Sequence, residues 1–261
     1  MARRITMPVR SFGSEVGMPT VPEITGWLKE VKVVEADLTT YRLGRSIDAQ
    51  EGVTVPAAGG IFYSERLRGA FPGVIDGVLV GEPDVDPAAV VADAHYILTR
   101  QKGAWISLPA PHMLGVRDGY IGDEEGFSEA IATSYIRLMR EMRDAGVQGH
   151  ILIADEADAI ELDLLAKRKT LFFPRAPETF DLELLLEYQD RLILPAKDLN
   201  RAEDLMERFH IKRLILLDAE TEDLAAATAL ADPDMLEVGG YCEENCPDYW
   251  KRLREGAFIL R

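Results

Sequence analysis

The chain has 261 residues, of which 47% are hydrophobic, and a formal net charge of −16. This length and composition suit a single large domain with one core. No apolar run reaches the roughly 18 residues that a membrane-spanning helix needs. The negative charge repels phosphate backbones, which argues against nucleic acid as a partner, and we interpret the acidity mainly as a property of a solvated surface.

The basic residues at the amino terminus are not followed by an apolar segment of the kind that secretory signals contain. Only two cysteines occur, Cys242 and Cys246, which are too few for a disulfide framework. We therefore expect a cytoplasmic protein without membrane association. Unpaired structural thiols are the prediction for the cysteines, with a redox pair or a metal shared with His112 as the alternatives.

The first 30 residues are irregular, with prolines at positions 8, 19 and 22. Within them, residues 20–30 predict a short helix, because a proline suits its first turn and its apolar residues fall on one face. We predict that residues 1–30 form an extension or lid over one end of a main domain that spans residues 31–261.

Three apolar segments in the first half of the main domain predict strands: residues 31–37, 74–80 and 104–108. Between the first two, residues 41–45 and 52–56 have the pattern of the two arms of a hairpin. Two longer helices are also predicted, over residues 86–100 and about 127–145.

Five short apolar segments then recur at an even spacing within residues 149–240. Counting from Asp155 in steps of 21 residues gives Ala176, Lys197, Asp218 and Gly239, each at a point where an apolar segment gives way to polar sequence. Apolar runs of this kind are typical of strands buried on both faces. Their alternation with short helical patterns predicts parallel β/α units.

Together these segments give eight strands, each followed by a helix, which predicts a closed (β/α)₈ barrel of the TIM-barrel type, in the α/β class. An open doubly wound sheet is the alternative. Its usual glycine-rich turn is missing, because neither G-x-G-x-x-G nor G-x-x-x-x-G-K occurs in the sequence. The barrel, with a small hairpin near its beginning, is therefore our prediction.

In such a barrel, catalytic groups lie at the carboxyl ends of the strands. Lys197 ends the sixth strand, where a partly desolvated amine can act as a Schiff-base nucleophile or a general base. An ion pair with Asp218 is the alternative for this lysine. Asp155, Asp218 and the loop residue His112 are the predicted partners in proton transfer, although a structural hydrogen bond also explains His112.

Ligand-binding residues are predicted at the same strand ends: Arg175, Glu156, Gly239 and Gly240. The two glycines would let backbone N–H groups approach a phosphate, although a turn that needs glycine explains them as well. Carboxylates at this edge would suit Mg²⁺. No metal-ligand pattern such as H-E-x-x-H occurs, so no metal ligand is assigned and the sequence does not specify a cofactor.

Two segments, Asp-Leu-Thr-Thr-Tyr-Arg-Leu-Gly-Arg at 37–45 and Gly-Val-Thr-Val-Pro-Ala at 52–57, resemble the opening hairpin of the tRNA-guanine transglycosylases and archaeosine synthases. Those families begin with an Arg-x-Gly strand and a Thr-Pro-Ala strand, and the resemblance implies a (β/α)₈ barrel that modifies a tRNA base. Val55 stands where the families have Thr. Their Asp-Ser-Gly-Gly-Phe run and C-x-C-x-x-C cluster are absent, so no catalytic residue is carried over.

Three functional hypotheses follow. The leading one is a lyase or isomerase that acts on a small anionic metabolite bearing a phosphate or carboxylate, with Lys197 as Schiff-base former or general base. The second is the enzyme acting on a tRNA base. The third is a non-catalytic barrel that serves as a subunit or binding protein, and an oligomer is compatible with each of them.

Overall fold

The fold is built from short strands that alternate with helices. The structure, a computed structural model, describes residues 3–31, 37–167 and 169–260. Within these ranges lie thirteen strands: β1 (Arg4–Thr6), β2 (Val9–Ser14), β3 (Ala57–Gly59), β4 (Val74–Ile75), β5 (Val78–Leu79), β6 (Trp105–Pro109), β7 (Arg117–Asp118), β8 (His150–Ala154), β9 (Thr170–Pro174), β10 (Arg191–Pro195), β11 (Arg213–Leu217), β12 (Leu236–Cys242) and β13 (Phe258–Leu260).

The same ranges contain ten α-helices: α1 (Val21–Glu30), α2 (Leu38–Asp48), α3 (Ser64–Gly69), α4 (Ala88–Arg100), α5 (Glu124–Asp144), α6 (Ala159–Leu165), α7 (Leu182–Tyr188), α8 (Leu199–Arg208), α9 (Thr221–Ala227) and α10 (Cys246–Gly256). Four of them begin where an aspartate side chain accepts a hydrogen bond from the backbone N–H three residues later: Asp37, Asp123, Asp158 and Asp181. None of the described helices combines the length and the apolar character that crossing a membrane requires.

The five repeated apolar segments are strands, as predicted. Every residue of β8 and β9 is buried, and these two strands pair in parallel. Strands β10, β11 and β12 also pair in parallel, in sequence order. Short helices connect these strands, so the prediction of successive parallel β/α units is confirmed for this part of the chain.

The predicted closed (β/α)₈ barrel is wrong. The described strands instead form a mixed α/β fold in which eight parallel strands are divided between two four-stranded sheets, ordered β10-β11-β12-β2 and β3-β6-β8-β9. One isolated parallel bridge, from Arg10 to Val55, joins the sheets on one side, so all eight strands run in the same direction. On the other side, β9 and β10 share no ladder. Two further small sheets consist of β1-β13 and β4-β5-β7.

Glutamine side chains cover the two seams between the parallel sheets. At the seam between β9 and β10, the Gln189 amide accepts a hydrogen bond from the Phe172 N–H (3.0 Å) and donates to the carbonyls of Phe172 (3.3 Å) and Arg191 (2.9 Å). At the seam between β2 and β3, Gln50 accepts from the Ala57 N–H (2.9 Å) and donates to the Ala57 carbonyl (2.7 Å). Buried backbone groups need partners. Because the amides occupy these groups, a continuous ladder does not form at either seam.

Side chains from both parallel sheets fill the space between them. Phe12 of β2 stacks on Phe173 of β9, with ring centroids 4.4 Å apart. The other buried members of this cluster are Ala57, Ile151, Ile153, Leu171, Ile193 and Ile215. A larger cluster lies between the opposite strand faces and the helices. The interior is therefore packed with apolar side chains, and polar ligands are confined to the ends of the strands.

The amino-terminal region contributes a strand to the parallel sheet β10-β11-β12-β2. Residues 9–14, which we expected in an irregular extension, form β2, and all six of them are buried. The helix predicted over residues 20–30 is present as α1. Part of the predicted extension therefore belongs to the core rather than lying over it.

The segment predicted as a hairpin has a different structure. Residues 41–45 lie within α2, where Asp37 caps the helix, so the hairpin is wrong and the resemblance to the tRNA-modifying families loses its structural basis. Residues 74–80 form the small antiparallel pair β4-β5 rather than one strand of the parallel set. The strand predicted over residues 31–37 falls largely outside the described residues.

We expect Gln189→Ala to lower the free energy of unfolding by about 1–3 kcal/mol, because it leaves the backbone groups of Phe172 without a partner. Chemical denaturation followed by circular dichroism measures this change. Gln148→Ala, at an exposed glutamine, is the matched control and should alter stability by less than about 0.5 kcal/mol. Equal effects of the two substitutions would show that the Gln189 amide does not hold the seam.

Candidate functional site

All eight parallel strands end on one edge of the fold, which we call the rim. It is defined by the residues that directly follow these strands: Glu15, Gly60, Ala110, Asp155, Arg175, Ala196, Asp218 and Glu243. In sheets of parallel strands, ligands bind outside the carboxyl ends, because the loops that follow the strands meet there. We therefore expect ligand-binding and catalytic groups of this fold to lie at the rim.

Several of the residues predicted from sequence lie on the rim. Asp155, Arg175 and Asp218 directly follow their strands, and all three are exposed. Glu156 is exposed beside Asp155. Lys197 is exposed in the short 3₁₀ turn after β10 and forms no ion pair with a described residue, so the alternative pair with Asp218 is not made.

The two predicted glycines lie inside β12 rather than after it. A Cβ atom on Gly239 would lie 2.6 Å from the Phe12 ring and 2.8 Å from Ile215. A Cβ atom on Gly240 would lie 2.7 Å from Leu253. The missing side chains thus make room for neighbouring residues to pack closely against the strand.

His112, in the 3₁₀ turn after β6, is held between two carboxylates. Its Nδ1 lies 2.9 Å from Glu161 Oε2, its Nε2 lies 2.8 Å from Asp155 Oδ1, and its backbone N–H donates to Glu161 Oε1 at 2.7 Å. The Glu161 side chain is 2% exposed, whereas that of Asp155 is 62% exposed. The structure thus brings together two predicted residues, and the buried Glu161 orients the imidazole as the acid of a catalytic triad does.

The two carboxylates control the charge of this histidine. Burial by itself would lower the pKa of His112, but the hydrogen bonds and charges of Glu161 and Asp155 outweigh burial and raise this pKa to about 9. The imidazole is therefore protonated at neutral pH and can donate through both nitrogens. Such a group can deliver a proton at the rim or fix the Asp155 carboxylate beside it.

At the end of β11, the orientation of Asp218 is set by its left-handed backbone conformation and by a hydrogen bond from a tyrosine. Its φ of +53° lies in the left-handed region, which is uncommon for a residue with a Cβ atom. The Tyr249 hydroxyl donates to Asp218 Oδ1 at 2.6 Å. Burial and the Asp218 charge raise the pKa of Tyr249 above its usual range, so this hydroxyl stays protonated. Backbone strain of this kind concentrates at functional sites.

A cleft of about 430 Å³ opens on the rim beside β9, β11 and β12. We call it the rim cleft, and it is lined by Phe173, Arg175, Leu217, Asp218, Tyr241, Glu243, Glu244, Tyr249 and Arg252. The rings of Phe173 and Tyr241 stack with centroids 5.7 Å apart and form an aromatic wall. The Tyr241 hydroxyl donates to Glu15 and accepts from the Ile61 N–H at 3.3 Å, which holds this wall in place.

The rim cleft presents charges of both signs. Arg175 and Arg252 form no ion pair with a described residue, and the Arg252 guanidinium lies 5.9 Å from the Tyr249 ring centre. Three exposed carboxylates line the same cleft: Asp218, Glu243 and Glu244. Unpaired guanidiniums bind carboxylate groups well, and carboxylates bind ammonium groups. The arrangement therefore suits a small ligand that carries both charges.

Cys242 and Cys246 form a disulfide, so the prediction of unpaired thiols is wrong. Their Cα atoms are 5.6 Å apart, with Cys242 at the end of β12 and Cys246 at the start of α10. The bond closes the loop that carries Glu243 and Glu244 of the rim cleft. Because disulfides persist mainly in oxidising compartments, the cytoplasmic location stays a prediction.

The described part of the chain contains no group of three His, Cys, Asp or Glu side chains arranged to hold a metal ion. Of the carboxylates considered for Mg²⁺, Asp155, Glu156 and Asp218 do not form such a group there, and Glu35 lies outside the described residues. His112 contacts carboxylates instead of sharing a metal with the cysteines. The side chains of the described rim are thus arranged for hydrogen bonding and ion pairing.

Sequence reasoning missed five residues that shape the rim: Glu15, Glu161, Tyr241, Tyr249 and Arg252. Tyr249 and Arg252 are three residues apart on α10, so they lie on the same helix face, and this spacing after the last strand was the available signal. The others could not be distinguished from ordinary polar residues of strands, helices and loops.

Comparisons with known proteins support the fold. No protein-family model matches the sequence, and no curated protein matches it. Among solved structures, the chain is similar to a B12-independent methionine synthase from Shewanella sp. W3-18-1 in complex with selenomethionine, with 13% identity, 97% of both chains covered and a TM-score of 0.57. A candidate vitamin-B12-independent methionine synthase from Listeria monocytogenes has 13% identity over 96% of this chain and 93% of its own, with a TM-score of 0.48.

These findings correct the predicted function. The Shewanella structure that the chain resembles is a methionine synthase, rather than a lyase, an isomerase or an enzyme that acts on a tRNA base. The predicted lyase or isomerase with Lys197 as its central residue is therefore wrong, and so is the alternative that acts on tRNA. The non-catalytic alternative presupposed the same closed barrel, which the described strands do not form.

The raised pKa of His112 predicts a pH dependence of stability. A folded-state pKa of about 9, against an ordinary value of 6.5, gives stabilisation that is complete below pH 6.5 and is lost as the pH rises through 9. We expect the difference in unfolding free energy between the wild type and His112→Gln to shrink over this window. His95→Gln, at an exposed histidine, should follow the wild-type curve. Parallel curves for the wild type and His112→Gln would contradict the assignment.

Because of the disulfide, we expect a definite number of free thiols per chain before and after reduction. The chain has two cysteines, and both are paired, so the unfolded protein should show no free thiol before reduction and two after it. Titration with a thiol-specific chromophore in denaturant, under conditions that prevent exchange, measures the count. Two reactive thiols before reduction, in protein purified without reductant, would show that the bond is not formed.

Proposed function

We propose that the rim cleft binds a methionine-like amino acid and that the chain takes part in a methyl-transfer reaction there. The observation that carries the proposal is the presence, in one cleft, of two guanidiniums without ion-pair partners and three carboxylates. A free amino acid carries one carboxylate and one ammonium group, so it complements both halves of this charge pattern. The mixed charge favours such a zwitterion over a simple anion.

The charged residues have distinct roles in this proposal. Arg175, directly after β9, offers a planar guanidinium that can bind the carboxylate of the amino acid through two parallel hydrogen bonds. Asp218 accepts the ammonium group, and its orientation is set by the hydrogen bond from Tyr249 (2.6 Å). Glu243 and Glu244 line the same cleft and add negative charge to it, which strengthens ammonium binding.

The apolar wall of the cleft fits the side chain of methionine. Phe173 and Tyr241 form a stacked pair, and Leu217 lies in the same lining. A thioether is flexible and polarisable and makes favourable contacts with aromatic rings. A charged side chain of comparable length would be poorly solvated against this wall. The lining thus supports a sulfur-containing amino acid over an acidic or basic one.

The similar Shewanella protein supports the reaction class. It is a methionine synthase in complex with selenomethionine, and its fold resembles that of the present chain. When a methyl group passes from a methyl donor to a thiol, the sulfur–carbon bond forms, the donor leaves with the electron pair of the broken bond, and the proton of the thiol can pass to a carboxylate. Because Asp218 holds the ammonium group in this proposal, Glu243 and Glu244 are the carboxylates of the cleft that remain for that role. The protonated His112, held by Asp155 on the same rim, is a second group that can exchange a proton.

We expect Arg175→Gln to weaken the binding of L-methionine at least about tenfold, because a charge-assisted pair with the ligand carboxylate contributes about 1.5–3 kcal/mol. Isothermal titration calorimetry of the oxidised full-length chain measures the change. The wild type should also bind methionine methyl ester and N-acetylmethionine more weakly than methionine, because each lacks one of the two charges.

Arg140→Gln is the matched control for this substitution. Arg140 lies on the surface of α5 with an exposed side chain 3.7 Å from Asp144, so its loss removes the same charge without touching the rim. Its methionine affinity should equal that of the wild type. The proposal fails if the wild type shows no saturable binding at millimolar methionine, or if Arg175→Gln and Arg140→Gln bind alike.

A further inference from the structure

At the end of the strands opposite the rim, arginines surround a single carboxylate. Arg10 of β2 donates from Nε to Glu237 Oε2 of β12 at 2.8 Å. Arg213, the first residue of β11, places its Nε 3.5 Å from Glu237 Oε1. Arg191, the first residue of β10, is the parallel-sheet partner of Arg213. We call Arg10, Arg191, Arg213 and Glu237 the basal cluster.

The basal cluster has more positive than negative charge. It contains three guanidiniums and one carboxylate, which leaves an excess of two positive charges. Arg191 forms no ion pair with a described residue. Asp190 lies beside it in sequence but pairs with Lys212 at 2.6 Å, so that pair is already neutral. This local excess stands out in a chain whose net charge is −16.

One guanidinium of the cluster is buried and incompletely bonded. Arg10 is 6% exposed, and its Nη1 atom has no hydrogen-bond partner among the described residues. The ring of Trp105, 5.3 Å from the guanidinium carbon, holds it on another side. Burial and the charge of Arg10 lower the pKa of Arg191, as expected where positive charges lie close together without enough counter-charge. Buried donors of this kind normally have acceptors.

A cavity of about 410 Å³ adjoins the basal cluster at the seam between β9 and β10. The cavity is lined by three cationic side chains, those of Arg191, Lys167 and Lys169, and by two carboxylates, those of Glu187 and Asp190, so positive groups outnumber negative ones. Lys169 forms no ion pair with a described residue, so it adds to the positive character. The volume accommodates a small oxyanion together with water.

We propose that the basal cluster and its adjoining cavity bind a phosphate group, carried by inorganic phosphate or by a small phosphate monoester. A phosphate dianion matches the two excess positive charges, and guanidinium groups donate pairs of hydrogen bonds to phosphate oxygens. A long polyanion is opposed by the charge of the whole chain, −16. This site lies at the other end of the strands from the rim cleft and does not depend on the function proposed there.

The test is calorimetric titration of the wild-type chain with inorganic phosphate and, separately, with glycerol phosphate, at low ionic strength. We expect saturable binding of at least one of them at millimolar concentration or below, and no such signal from chloride at the same ionic strength. Tighter binding of inorganic phosphate assigns the free ion, and tighter binding of glycerol phosphate assigns a monoester.

Substitutions locate the site. Arg191→Gln should weaken phosphate binding at least about tenfold, as expected for the loss of one charge-assisted bidentate pair. Lys169→Gln, at an exposed residue, should weaken it by a smaller factor. Arg140→Gln, on the surface of α5, should leave it unchanged. The proposal is overturned if neither phosphate compound binds saturably, or if Arg191→Gln binds as tightly as Arg140→Gln.

Discussion

The two parallel sheets depend on a pair of glutamine amides that take the place of strand neighbours. Gln189 satisfies the backbone of Phe172 at one seam, and Gln50 satisfies Ala57 at the other. A buried peptide group without a partner is costly, and an amide side chain offers both N–H donors and a carbonyl acceptor with the right spacing. The sheets can therefore face each other across an apolar interior although no ladder connects β9 with β10.

This construction gives the molecule two chemically different ends. Because all eight strands run in one direction, the loops after them gather carboxylates, tyrosines and two guanidiniums around the rim cleft. The starts of the strands instead gather the guanidiniums of the basal cluster around Glu237. The packed interior, centred on the stacked rings of Phe12 and Phe173, separates these ends and lets each keep its own electrostatic character.

The sequence predicts correctly that the repeated strands are parallel. It does not predict that the parallel strands are divided between two sheets instead of forming one closed barrel. Evenly spaced apolar runs fix buried parallel strands, and they place Asp155, Arg175 and Asp218 at strand ends. Hydrophobic periodicity contains no signal for a side-chain amide such as that of Gln189. The predicted hairpin failed because the cap at Asp37 starts a helix through β-branched residues. Contacts such as Tyr249 to Asp218 depend on how a distant helix packs, which no local pattern reveals.

The most direct measurement is a crystal structure of the oxidised protein grown with L-methionine, since it shows both the ligand and its contacts. The expected result is one molecule in the rim cleft, with its carboxylate within hydrogen-bonding distance of Arg175, its ammonium group on Asp218 and its thioether against Phe173. An empty cleft at saturating methionine, or a molecule bound elsewhere on the chain, would contradict the assignment of the rim as the functional site.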